Sequence, residues 1–222
     1  MFSVWDENYK ISEAEKHLLR LANIPECQQQ EAILSPDDCD IEAFKRLGNI
    51  RNNLEDFLCS SKNNLLICGK NLGCGKTEWA LKMMLTHIEN HKHDLDFVDI
   101  GEIDKFNVGL FCLTVPFLVD YKQFNHNDKA CAMKERLKTT ELAVFDDVAA
   151  LSMSSYDYSV LYGIIEERLW NGLSTIYTTN ITTFDDLAKE LGPRLAERIW
   201  KMSVVVELKG EGYRGCQFNY KH

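Results

Sequence analysis

The sequence predicts an α/β fold: a parallel five-stranded sheet flanked by helices, preceded by a small helical N-terminal region. Three observations carry this expectation. Short apolar runs alternate with helix-length stretches from about residue 65 onward, the pattern of βαβ units. The runs are continuously apolar, as in strands buried on both faces. A glycine-rich loop ending in Gly75-Lys76-Thr77 joins the first run to its helix.

Residues 10–22 read as a short helix, with Ile11, Ala14, Leu18 and Leu21 at helical spacing. Residues 23–40 hold Asn23, two prolines and an acidic cluster, and read as loop. Residues 41–60 read as helix again. The expected strands are Leu65–Cys68, Leu110–Val115, Leu142–Phe145, Ser174–Thr178 and Val204–Leu208, with helices at 76–90, 117–138, 154–171 and 183–200. The expected division is a partner-binding region at 1–48 and a catalytic domain at 49–222.

Composition narrows the function. Of 222 residues, 45% are hydrophobic and 27% charged, which suits a folded domain rather than a disordered chain. No apolar run reaches membrane-spanning length, and residues 1–7 lack the pattern of a secretory leader, so the expected location is the cytoplasm and no membrane contact is expected. The net charge of −9 disfavours a dedicated duplex-binding protein. Residues 1–60 alone carry 12 acids against 6 bases, which suits a protein partner. The eight cysteines show no C-x-x-C pair and read as reduced thiols, several of them buried. Cys27, Cys39 and His17 lack metal-ligand spacing. His87 and His91, four apart near a helix end, could share a face as metal ligands; with His93 they read instead as a solvated polar turn complementing a helix dipole.

Strand, glycine loop, Gly-Lys-Thr and helix together form a P-loop. Gly73 and Gly75 let backbone N–H groups turn inward on phosphate oxygens, the helix N-terminus adds its dipole, and Lys76 reaches the outer phosphates. Asn71, Leu72, Gly73, Cys74, Gly75, Lys76, Thr77 and Glu78 are the expected ATP-binding residues. Lys70 stands where the strict motif has glycine, and Gly69 precedes it by one residue. Either the loop bulges or Lys70 tolerates the local backbone.

The run Leu142–Phe145 ends in Asp146-Asp147. A carboxylate at such a strand tip faces the P-loop: Asp146 with Thr77 is the expected Mg²⁺ site, and Asp147 the group that polarises attacking water. The run ending at Asn180 offers a neutral amide that orients water or senses the γ-phosphate. Arg194 and Arg198 lie four apart on one helix face, placed to offer a guanidinium to a neighbouring subunit.

Taken together, Asn64–Lys82, Gly109–Pro116, Leu142–Val148, Ile164–Thr183 and Leu191–Trp200 resemble the AAA+ ATPases of the DnaC/DnaI helicase-loader family, including loader-like proteins of phages of Gram-positive bacteria. The stretch Val204–Gly210 followed by Gly212-Tyr213-Arg214 is similar to the family's end signature. The resemblance implies a P-loop AAA+ core with Lys76 and Thr77 as Walker A, Asp146 and Asp147 as Walker B, Asn180 as sensor 1, Arg198 or Arg194 as arginine finger and Arg214 in a sensor role. It also implies loading of a DnaB-type replicative helicase onto single-stranded DNA in DNA replication, with weak, partner-stimulated hydrolysis of ATP and self-association through the finger. Only 24 residues follow Arg198, so a full helical lid is not expected. Single-stranded DNA would meet helix 117–138, with Tyr121, Phe124 and the basic residues Lys122, Lys129, Lys134, Arg136 and Lys138. Three other readings stand: an IstB-like transposition helper ATPase, which shares every motif; a P-loop small-molecule kinase; and a protein that binds ATP as a clamp without hydrolysis.

Overall fold

The structure, a computed structural model, describes residues 15–29, 34–91, 107–123, 128–150 and 153–211. Five strands form one all-parallel sheet: β1 (Asn64–Cys68), β2 (Gly109–Leu113), β3 (Leu142–Asp146), β4 (Ser174–Thr179) and β5 (Ser203–Glu207), in the spatial order β2-β3-β4-β1-β5. β1 lies between β4 and β5, with Leu66 opposite Tyr177 on one side and Val205 on the other. The expected parallel sheet is therefore observed. Its strand ends shift by a residue or two, because β2 yields to helix at Thr114 and β4 runs on to Thr179.

Side-chain alternation splits the apolar residues into two layers. Leu65, Ile67, Val144 and Ile176 face the layer built on α3 (Lys76–His91), with Met83, Met84 and Ile88. Leu66, Ala143, Phe145 and Tyr177 face the other layer. There they meet α6 (Ser155–Trp170) through Ile164 and Ile165, and α8 (Pro193–Lys201) through Leu195 and Ile199. Both faces are covered, which is why the strands carry no polar alternation.

Three helical stretches of the sequence reading are divided. Stretch 183–200 becomes α7 (Phe184–Leu191) and α8, separated by Gly192 at φ 78° with Pro193 opening the second helix. A positive φ ends one helix and proline pre-sets the first turn of the next. Stretch 117–138 becomes α4 (Thr114–Gln123) and α5 (Asp128–Thr139). Stretch 41–60 likewise divides into α1 (Ile41–Asn52) and α2 (Leu54–Leu58) at Asn53.

The described residues ahead of β1 contribute to the same core. Leu18, Leu19, Ala22, Ile24 and Leu47 are buried in the α3 layer, and Phe44 packs edge-on to Trp79, with ring centroids 5.3 Å apart. The edge strand β2 is capped there too: Phe111 N–H donates to Ala22 O at 2.8 Å, and Asn23 Nδ2 donates to Phe111 O at 3.1 Å. Pairing the exposed edge in this way blocks edge-to-edge association.

Arg168 on α6 is fully buried, and no carboxylate pairs with it among the described residues. Its guanidinium donates to Thr175 Oγ1 and to the carbonyls of Leu137, Thr140, Glu141 and Ser174. The C-terminal carbonyls of α5 carry partial negative charge, which supports the cation. Burial lowers its pKa to about 10, so it stays charged at neutral pH. One side chain thus ties α5, α6, β3 and β4 together. Arg168→Leu is expected to lower the denaturant midpoint by the equivalent of at least about 3 kcal/mol, since each stranded buried acceptor costs roughly 1–3 kcal/mol. Arg168→Lys, with three donors for five acceptors, restores only part of it.

Candidate nucleotide site

The loop between β1 and α3 closes on the Lys76 ammonium. Nζ donates to Gly69 O at 2.9 Å and Asn71 O at 3.0 Å, and lies 3.4 Å from Cys74 Sγ. Lys76 is buried, and no carboxylate pairs with it among the described residues. Two carbonyls and a sulfur surround the charge without neutralising it, so the loop favours an anion. Gly73 and Gly75 have φ 78° and 98°, the left-handed backbone that glycine enters freely. Lys70 does not need that conformation: it is exposed and is absent from the positive-φ residues. The glycine requirement falls on Gly69, where a Cβ would stand 2.4 Å from Leu208 O. Lys70 is therefore tolerated because the close approach occurs one residue earlier.

The loop is also anchored from outside. Asn71 Nδ2 donates to Lys209 O and Gly210 O, at 3.1 and 2.9 Å. The N–H groups of the same two residues donate to Asp40, at 2.6 and 2.8 Å. Asp40 is wholly buried and precedes α1, so it links the N-terminal region to the phosphate loop through the segment that follows β5. Leu72 projects from the loop into solvent, Cys74 is buried behind Lys76, and Glu78 lies in the first turn of α3.

Thr77 Oγ1 donates to Asp146, 2.9 Å from Oδ1 and 3.2 Å from Oδ2. Thr178, on β4, donates its hydroxyl to Asp146 Oδ1 at 2.6 Å and accepts from Asp147 N at 2.8 Å. One hydroxyl fixes both acids, and the sequence reading missed it. Asp147 sits at φ 58°, a left-handed conformation for a residue with a Cβ. Asn180 Nδ2 donates to Asp147 Oδ1 at 3.2 Å. Desolvation, together with the neighbouring Asp146 charge, raises the Asp147 pKa against the pull of Lys76. Burial likewise pushes the Cys68 thiol up to about 12, with Glu207 adding to it, so that cysteine is inert. Cys74 and Cys112 are buried as well, whereas Cys39 and Cys59 are exposed.

The arginines are placed apart from this group. Arg198 on α8 pairs with Glu166 of α6, not with the nearer-in-sequence Glu190 or Glu197; Glu197 pairs with Lys201 instead. Arg194 is exposed, with no ion pair among the described residues. Arg214 and residues 212–222 lie outside the described residues, as do Phe124 and His93.

The stretch expected to meet single-stranded DNA is two helices rather than one, and its Tyr121 is taken up by packing. Tyr121 is buried, and Lys134 donates to its hydroxyl at 3.1 Å while lying over its ring. Lys122 bonds Ser154, Lys138 pairs with Glu135 and Glu167, and Arg136 donates to Leu21 O. Lys122 stays more than half exposed, whereas Lys138 is largely covered by its two carboxylate partners. No helix among the described residues is long and apolar enough to cross a membrane.

Strand order and the loop, acid and amide at the C-terminal strand ends define a P-loop AAA+ α/β core. No protein-family model matches this chain, and no curated protein matches it significantly. Solved structures do. The DnaC helicase loader superposes with a TM-score of 0.62 at 22% identity, over 79% of this chain and 94% of that one. DnaI gives 0.60 at 20% identity, over 85% and 93%. The replication initiator DnaA bound to AMPPCP and single-stranded DNA gives 0.58 at 16%, over 78% of this chain and 47% of that one. The fold is thus DnaC-like.

Proposed function

We propose that this chain is an ATPase that loads a DnaB-type replicative helicase onto single-stranded DNA. The observation that supports this best is the convergence of Lys76, the Thr77–Asp146–Thr178 group and the Asn180–Asp147 pair at one end of the sheet, in a fold shared with DnaC and DnaI. Phosphate oxygens take the place of the two carbonyls now bonded to Lys76, and the first N–H groups of α3 point at the same space. Thr77 Oγ1 and Asp146, hard oxygens 2.9 Å apart, fit a small hard cation. They would hold Mg²⁺, which when bound neutralises phosphate charge. Asp147 accepts the proton of the attacking water, and Asn180 orients that carboxylate. Arg198 of a second copy meets the charge that develops on the γ-phosphate.

The partner-binding role falls on the acidic N-terminal part. Removing residues 1–48 would strip five buried apolar side chains and Asp40 from the core. A deletion limited to residues 1–14 is the cleaner variant and should keep ATP binding while releasing the helicase.

Lys76→Ala tests the nucleotide site. Calorimetric titration of ATP with Mg²⁺ should show no detectable binding, and unchanged affinity would remove the assignment. Affinity capture from host or infected-cell extract, with and without ATP, tests the partner. A replicative helicase is expected; a transposase in its place would favour the IstB-like reading.

A further inference from the structure

At the end of α3 remote from Lys76, the two histidines read from sequence as a solvated turn are in fact packed against carboxylates. His87 is only 2% exposed. Its Nε2 lies 3.2 Å from Val108 O, and its Nδ1 lies 3.1 Å from Glu55 Oε1 on α2. His91 Nδ1 lies 2.9 Å from His87 O. Both carbonyls are acceptors, so each imidazole commits its one N–H there. That leaves the lone pairs of His87 Nδ1 and His91 Nε2. The first faces the Glu55 carboxylate. The second faces Glu141 Oε2 at 3.4 Å, which is also 3.7 Å from His87 Nε2.

Lone pair against carboxylate is a repulsive arrangement that a cation relieves. One ligand atom from each of Glu55, His87 and His91 lies within 4.8 Å of the others. The backbone bonds fix each ring's tautomer and orientation, as outer partners do for metal-bound histidines. Asn90 Nδ2 steadies Glu55 at 3.0 Å. A polar cleft of about 460 Å³, lined in part by Arg51, Glu55, Glu89 and Asn90, opens beside the Glu55 carboxylate.

We propose that Glu55, His87 and His91, with Glu141 closing the open side, bind a transition-metal dication of the zinc class. Imidazole nitrogen with carboxylate oxygen is a zinc donor set. The ion would staple α2 and the start of β3 to the C-terminal end of α3. A 16-residue helix of roughly 24 Å separates it from the phosphate loop, so it is independent of the nucleotide reading.

The test uses the full chain, dialysed against chelator and titrated with Zn²⁺ near pH 7.5 by calorimetry. One ion per chain and a higher melting temperature with Zn²⁺ are expected. His87→Ala risks the fold, so His91→Ala and Glu55→Gln are the informative variants. Each should weaken binding by more than about 10-fold, the least that loss of even an outer partner costs, and should leave ATP affinity unchanged. Co²⁺ in place of Zn²⁺ should give visible d–d absorption without a thiolate charge-transfer band. Parent affinity in both variants, no binding by the parent chain, or a thiolate band from the exposed Cys39 or Cys59 would each overturn the site.

Discussion

Asp147→Asn is expected to keep ATP binding, to lower hydrolysis by about 10²–10⁴, and to raise the melting temperature. The rate effect follows from losing the base, since a positioned acid–base group contributes typically that much. The stability effect follows from the environment of the carboxylate. Its pKa is raised by desolvation and by Asp146. A carboxyl raised on folding contributes stability below its unfolded value near 3.8, and that contribution is lost as pH climbs through the folded value. At neutral pH the ionised group therefore weighs against the fold, and a neutral amide removes the burden. Asparagine also tolerates φ 58° better than most residues, and its carbonyl still accepts from Asn180. Activity and stability should move in opposite directions, the mark of a residue kept for chemistry. A purely structural Asp147 predicts instead a parent hydrolysis rate and a lower melting temperature.

How far the sequence revealed this depends on the distance between partners. The phosphate loop was legible because its chemistry needs adjacent residues: two glycines that must turn, then lysine and threonine at a helix start. Most strands were legible because burial on both faces leaves apolar runs, whereas β4 carries four Ser and Thr residues and was legible by its β-branched and aromatic content. Asp146, Asp147 and Asn180 were legible because each ends such a run. The helix break at Gly192-Pro193 was written in its residue types, yet the apolar period running through it masked the signal. Arg168, Asp40 and Thr178 were not legible. Their roles rest on partners far along the chain, as when Asp40 meets Lys209 and Gly210. His87 and Tyr121 misled for the same reason. Each looks exposed by local polarity, but Glu55 and Val108 bury the first and Lys134 covers the second. Local pattern reports the backbone's demands; long-range contacts decide which polar groups face inward.

Arg198→Ala is expected to leave ATP binding intact and to lower hydrolysis in the self-associated state by about 10³–10⁵, the range for an arginine that meets γ-phosphate charge from a neighbouring subunit. The rival account is a surface ion pair. Arg198 Nε donates to Glu166, and the two side chains are 41% and 35% exposed. A pair so open to water is worth about 0–1 kcal/mol, and salt weakens it further. Glu166 raises the Arg198 pKa, mainly through that hydrogen bond, so the guanidinium stays charged whether paired or released. Release on assembly therefore costs little compared with what the finger contributes. The two accounts separate cleanly. As an ion pair, Arg198→Ala hydrolyses ATP at the parent rate and Glu166→Gln matches it. As a finger, Arg198→Ala is inactive, while Glu166→Gln, which frees the guanidinium, is at least as active as the parent. Mixing supplies the decisive measurement: Arg198→Ala with Lys76→Ala should recover activity at interfaces that join an intact arginine to an intact phosphate loop. Arg194, one turn earlier and exposed, is the internal control. If Arg194→Ala is the inactive variant and is the one rescued by Lys76→Ala, the trans role belongs to Arg194. If neither mixture recovers activity while the variants still associate, neither arginine acts across the interface.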